Sequence, residues 1–237
     1  ALDPATGRDL HANNFAGAKL AARKTYRVRA NWKILIENFL ECYHCGTVHP
    51  EYSRAMAGAA ASYMSEADRE RDCGIEHARI RSTRRAGDDR PIHFLFRQGF
   101  QTQSLDGKPL APPMADGIEH DGTAWCAWIG YTFEAEINPD HAATFRFLPI
   151  SPEVTEIEVG WLVRDSAVEG RDYDLERLME FWRITGEQDW NISEVTQSGV
   201  RSSYYRPGPY SQAEGGAAAF TDWYVRQMRE PLGHRQP

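Results

Sequence analysis

The chain has 237 residues, of which 41% are hydrophobic and 26% charged, the balance of a globular fold long enough to bury a sizeable core. A formal net charge of -7 with 27 scattered basic residues excludes nucleic-acid binding as the main role, because phosphate recognition needs clustered Lys and Arg. No apolar run approaches the roughly 20 residues that cross a bilayer, and no secretory signal opens the chain, so a cytoplasmic protein without membrane partners is expected.

Residues 1–24 lack a clear period and read as a linker ending in an extended approach to Tyr26. From Asn31 to Tyr43 the apolar positions Trp32, Leu35, Ile36, Phe39, Leu40 and Tyr43 recur every three or four residues, the stripe of an amphipathic helix with Asn31 as its N-cap. Residues 54–72 are Ala-rich and weakly patterned, an excursion between elements. Strands are predicted over 75–84, 92–104, 123–137, 141–150 and 154–164, with turns at Asp106-Gly107, Asp121-Gly122 and Asn138-Pro139-Asp140. A long helix is predicted from Asp172 to about Gln197, with Leu175, Leu178, Met179, Trp182, Trp190 and Val195 on its apolar side. The order gives an α+β domain in which a curved sheet of about five antiparallel strands wraps a late helix.

The chemistry is densest between Glu37 and Pro50. His44 and His49 are five residues apart, which on an unbroken helix would turn them about 140° from each other. Gly46 and Pro50 offer the break that lets both imidazoles face one centre, where neutral imidazole ligates iron or zinc. Two His and one carboxylate leave open positions suited to non-haem Fe(II). Asp189, mid-helix among apolar residues, is the preferred acid, with Glu187 and Glu194 as rivals. Zinc held through Cys42 and Cys45 is disfavoured because no second Cys pair follows. All four cysteines, Cys42, Cys45, Cys73 and Cys126, are expected reduced, since a chain of this size needs no covalent staples. His77, His93, His120, His141 and His234 carry no ligand pattern and read as surface or strand residues.

The run Asn31-Trp32-Lys33 through Glu37-Asn38, then Glu41-Cys42-Tyr43-His44-Cys45 and His49-Pro50, resembles the iron-site motif of Rieske oxygenase α subunits. The stretch from Asp189 to Glu194-Val195-Thr196-Gln197-Ser198-Gly199 resembles that family's second motif. The resemblance implies a helix-grip (START-like) sheet around a long C-terminal helix, with mononuclear Fe(II) on His44, His49 and Asp189. It gives Glu41 a place at a subunit boundary, between the Rieske cluster of one subunit and the iron of its neighbour, and Asn38 is grouped with Glu41 as serving catalysis. It further implies dioxygen and a small organic substrate, a reductase or ferredoxin donor, and a head-to-tail homotrimer.

Glu rather than Asp at position 41 is typical of the branch acting on quaternary amines, which makes N-demethylation or C–N cleavage of such a compound the leading expectation. No Cys-x-x-His occurs in the chain, so a [2Fe-2S] cluster is expected only in a Rieske domain upstream. Residues 1–24 would then be the linker from it, and 25–237 the iron domain. Aromatic-ring hydroxylation or O-demethylation is the runner-up; a non-catalytic helix-grip ligand-binding module is the alternative of another class.

Overall fold

The computed structural model describes residues 13–57, 92–120, 122–211 and 214–229, together with 7, 10 and 11. The strand expected over 75–84 and most of the 54–72 excursion lie outside the described residues. Among the described residues six strands form one sheet: β1 Ala18–Val28, β2 Ile92–Leu95, β3 Thr123–Ile129, β4 Phe133–Ile137, β5 Ala142–Ser151 and β6 Val154–Arg164. Their order is β1-β6-β5-β4-β3-β2, and every neighbouring pair is antiparallel.

Strand alternation puts Phe145, Phe147, Ile157, Val159 and Trp161 on one face, all essentially fully buried. Phe145 lies opposite Val159 and Phe147 opposite Ile157, so large and branched side chains interlock across the ladder. Against this face runs α4, Leu175–Val200, whose first turn is capped by Asp174 accepting from the Arg177 N–H at 2.8 Å. Its buried side carries Leu178, Trp182, Asp189 and Trp190, spaced as one helical stripe should be, whereas Val195, expected on that side, faces solvent. The expected α+β helix-grip arrangement is the one found.

Three short helices complete the approach to the site: α1 Trp32–Phe39, α2 Cys45–Val48 and α3 Pro50–Ala55. Asn31 caps α1 by accepting from the Lys33 N–H at 3.0 Å. Phe39 wedges α1 between helix and sheet, stacked on Trp190 at 5.6 Å and meeting Phe145 and Phe147 edge-on at 5.4 and 5.1 Å. Each such aromatic pair contributes about 0.5–1.5 kcal/mol beyond the area it buries.

Several boundaries differ from expectation. α1 stops at Phe39 rather than Tyr43, because the Leu40 N–H is already shared between the Ile36 and Glu37 carbonyls and the chain turns away. β1 begins at Ala18, within the stretch read as linker, since its partner is β6 at the far end of the sequence. The expected strand over 92–104 closes at Leu95, and residues 99–111 instead form a loop fixed by a buried polar network. The segment 123–137 is two strands, separated at Gly130, whose φ of 61° suits glycine.

A fifth helix, α5 Gly215–Arg229, was not foreseen. It packs Phe220 and Tyr224 on Trp32, at 5.6 and 6.0 Å.

Candidate metal centre

With α1 ended, residues 40–44 turn and present His44 just before α2, while His49 sits in the junction between α2 and α3 with φ -117° and ψ 77°. Pro50 starts α3 at a position where no N–H is needed. The break expected near Gly46 and Pro50 thus exists, and it lies on both sides of α2. The two rings converge, Nε2 to Nε2, at 3.1 Å.

Asp189 arrives from α4. Its Oδ1 is 3.0 Å from His49 Nε2 and 3.3 Å from His44 Nε2, and the residue is only 4% exposed. The rival acids are elsewhere: Glu187 pairs with Lys24 at 3.1 Å and Glu194 with Arg29 at 3.0 Å, both toward solvent.

The outer ring nitrogens fix the chemistry of the inner ones. His44 Nδ1 is 2.7 Å from Glu41 Oε1, and a carboxylate only accepts, so the hydrogen is on Nδ1. His49 Nδ1 is 2.8 Å from Gln188 Oε1. The Gln188 amide cannot be reversed freely, because its Nε2 donates to Glu51 Oε2 at 2.9 Å. Both neutral rings therefore turn an Nε2 lone pair inward, and a carboxylate oxygen completes the group.

Three acceptors at 3.0–3.3 Å repel one another unless a cation lies among them. Bonds of about 2.1 Å to a first-row ion, meeting at right angles, would separate donor atoms by about 3.0 Å. The donor set fits a mononuclear iron.

Electrostatics agree. Burial lowers the His44 imidazole, but Asp189 and Glu41 override it and draw the ring up to about 9: in a site built for a cation, a proton is attracted where the ion belongs. Burial likewise works to raise Asp189, yet the His44 and His49 rings, when the proton drawn into the site sits on an Nε2, and the Asn38 amide hold its carboxyl below the ordinary value. Asn38 Nδ2 donates to Asp189 Oδ1 at 2.7 Å. Asn38 and Glu41 thus both adjoin the expected ligands. Glu41 reaches His44 across a turn, not along one helical face, and its other oxygen accepts the Tyr43 N–H.

Cys42 and Cys45 are joined in a disulfide, which corrects the expectation that both are reduced. The turn that presents His44 draws their Cα atoms to 5.0 Å, within bridging reach. Cys126 is in no disulfide among the described residues. His141 is a second correction: it is fully buried in the β4–β5 turn, its Nδ1 3.0 Å from Asp140 Oδ1. His120 does lie at the surface, bound to the Gln101 carbonyl.

Sequence reasoning missed Gln188 and Glu51, whose roles depend on contacts between distant segments. It also missed Glu134 and Glu136. Their alternation with Ala135 was legible, but it did not reveal that the acids face inward, at 3% and 4% exposure.

Comparison with known proteins gives the same picture. The family described as ring hydroxylating alpha subunit (catalytic domain) matches residues 15–230. The glycine betaine monooxygenase oxygenase subunit of Pseudomonas aeruginosa strain PAO1 is 34% identical over 234 residues, covering 91% of this chain and 53% of that protein. Its counterpart in Chromohalobacter salexigens is 32% identical over 239 residues, covering 92% and 52%.

Among solved structures, the quaternary ammonium Rieske monooxygenase CntA in complex with substrate L-carnitine superimposes with a TM-score of 0.62 at 17% identity, over 95% of this chain and 54% of that one. The chain spans about half the length of the curated relatives it matches. Among the described residues no helix is long and apolar enough to cross a membrane. With residues 15–230 matched, the chain belongs to the family of ring hydroxylating alpha subunits, as their catalytic domain.

Proposed function

We propose that the chain is the iron-bearing catalytic part of a Rieske-type oxygenase that oxidises a small quaternary ammonium compound with dioxygen. The observation that carries this reading is the meeting of His44 Nε2, His49 Nε2 and Asp189 Oδ1, with both imidazole hydrogens turned outward. The substrate class draws support from relatives named for glycine betaine at about one-third identity. The reaction class is hydroxylation beside the cationic nitrogen followed by loss of an aldehyde. Electrons from a reductase or ferredoxin reduce the second oxygen atom to water.

Fe(II) bound by His44, His49 and Asp189 would supply dioxygen binding and activation. The chain's own residues do the rest. Glu41 and Gln188 fix the two ring planes and tautomers, and Asn38 orients the acid; such outer contacts are worth about 10 to 100-fold in affinity or activity. Glu41, with 16% of its side chain exposed, is the group through which electrons would arrive from a [2Fe-2S] centre in a neighbouring subunit of a homotrimer. That centre would sit in a domain preceding residues 1–24, and the assembly would be cytoplasmic.

The test is anaerobic loading with Fe(II) followed by metal analysis and nitric oxide addition. About one iron per chain is expected, with a ferrous-nitrosyl resonance reporting an open coordination position. His44→Ala and Asp189→Ala should lose the iron while keeping the far-ultraviolet dichroism of the parent. A folded chain that takes up no iron, or whose iron survives Asp189→Ala, refutes the reading.

A further inference from the structure

The Cys42–Cys45 disulfide closes a ring of four residues that includes His44. A bridge of so short a span removes little freedom from the unfolded chain, so it is a poor staple. In the cytoplasm proposed for this protein, disulfides that do form are usually transient and serve catalysis or redox sensing. This one has a sensor's position, because one end of the bond reaches the metal centre.

Cys45 is that end. Its Sγ and one ring nitrogen from each of His44 and His49 lie within 4.8 Å of one another. In a tetrahedral zinc site, bonds of about 2.3 Å to sulfur and about 2.0 Å to nitrogen hold those donors about 3.5 Å apart. A released Cys45 sulfur is therefore already near the place such a set requires. Its backbone is anchored without the disulfide: the Cys45 carbonyl accepts from the His49 N–H and from Ser53 Oγ, both at 3.0 Å. While the disulfide stands, Cys45 has no thiolate to offer, and the thiolate is the form that ligates metals.

Cys42 is the outer end. It is half-buried, against 8% exposure for Cys45, and the Tyr43 that follows it is 76% exposed. An external thiolate therefore meets Cys42 Sγ first. The attacking sulfur bonds to Cys42 Sγ, the Cys42–Cys45 bond breaks, and its electron pair leaves on Cys45 Sγ, beside the two histidines. The second thiol of a dithiol reductant then releases Cys42. In all, the reductant becomes a disulfide and the protein gains two electrons and two protons. Hydrogen peroxide reverses the change, the two protein thiols giving the disulfide and two molecules of water.

We propose that Cys45 is a redox-gated metal ligand. Bonded to Cys42, it leaves His44, His49 and Asp189 to hold Fe(II); freed by a dithiol, it loses its proton to water and joins His44 and His49 in a set that favours Zn(II). Thiolate is a soft donor, and adding it to two imidazoles shifts the site toward zinc. The inference rests on the reading of His44 and His49 as metal ligands. It ties retention of iron to oxidising conditions, those in which dioxygen is at hand.

Cobalt(II) titration of the metal-free chain, before and after reduction by a phosphine and anaerobic removal of the reagent, tests this. About one equivalent should bind in both states, and a sulfur-to-cobalt charge-transfer band should appear only after reduction. Zinc affinity, read by competition with a chromophoric chelator, should rise about tenfold or more on reduction, and hydrogen peroxide should restore the first value. Both comparisons use the parent chain and need no variant to fold. Cys42→Ser, which frees Cys45 without a reductant, should show the band from the outset, and Cys45→Ser should never show it. A reduced chain with no band, a zinc affinity that changes less than about threefold, or a band that survives Cys45→Ser overturns the proposal. Failure of the oxygenase reading looks different: the oxidised chain then takes up no Fe(II), while the reduced chain still gives the cobalt band.

Discussion

The side-chain amide of Asn38 donates to Asp189 Oδ1 at 2.7 Å, fastening the helix that leads into the histidine turn to the helix that supplies the acid. Phe39, the next residue, stacks on Trp190, the next residue on α4. Polar and apolar contacts between the same two helices thus set one geometry. Asn38→Ala should lower iron affinity by about 10 to 100-fold, read as competition against a chelator, with little change in melting temperature. A change below threefold would show that the acid is positioned without the amide.

The electron-relay role proposed for Glu41 is separable from iron binding. In the full-length protein with its reductase, Glu41→Gln keeps the size of the side chain but removes the charge facing His44 Nδ1. Iron should stay bound while turnover falls at least tenfold, as measured by product formation and oxygen consumption. Unimpaired turnover would remove Glu41 from the electron path.

Asp140 carries a pH prediction. Its carboxylate, fully buried, accepts from Thr102 Oγ1 and the Leu110 N–H, both at 2.6 Å, and faces His141 Nδ1 at 3.0 Å. Burial would raise its pKa, but His141, Thr102 and Leu110 outweigh that and lower it to about 2. The folded value lies below the unfolded value of about 3.9, so the stabilisation is fully present above that pH and is lost as the pH falls toward 2. Its size is about 2–3 kcal/mol. Asp140→Asn should lower stability at neutral pH by an amount of that order, and the difference from the parent should shrink below about pH 4 in urea titrations. A difference that stays constant across that window would refute an ionised Asp140.

Gly216 governs the docking of α5. A Cβ there would stand 2.6 Å from the Leu40 carbonyl oxygen, a backbone atom that cannot swing away. Gly216→Ala gains about 1 kcal/mol of helix propensity but forces α5 off α1, and overpacking of this kind costs about 1–3 kcal/mol. A net fall in melting temperature is expected. Gly215→Ala, where a Cβ meets nothing within 4 Å, is the control and should cause none.

The linear pattern was enough for much of this protein. The 3.6-residue stripes placed α1 and α4, β6 was legible to its ends from Val154 to Arg164, and the break around Gly46 and Pro50 announced that His44 and His49 could meet. Those features are local: a helix stripe, a strand alternation and a turn residue each depend on neighbours in sequence.

What only the tertiary structure decided involves partners far apart in the chain. Strand β1 exists because β6 lies beside it, and α5 because Trp32 and Tyr131 give Phe220 a surface to pack on. Asp189 was separated from Glu187 and Glu194 by the direction α4 faces when it lies on the sheet. The orientation of His49 depends on Gln188 and Glu51, and the inward turn of Glu134 and Glu136 depends on which side of β4 the helix covers. A period of two identifies two faces of a strand. Only long-range packing determines which of them is the interior.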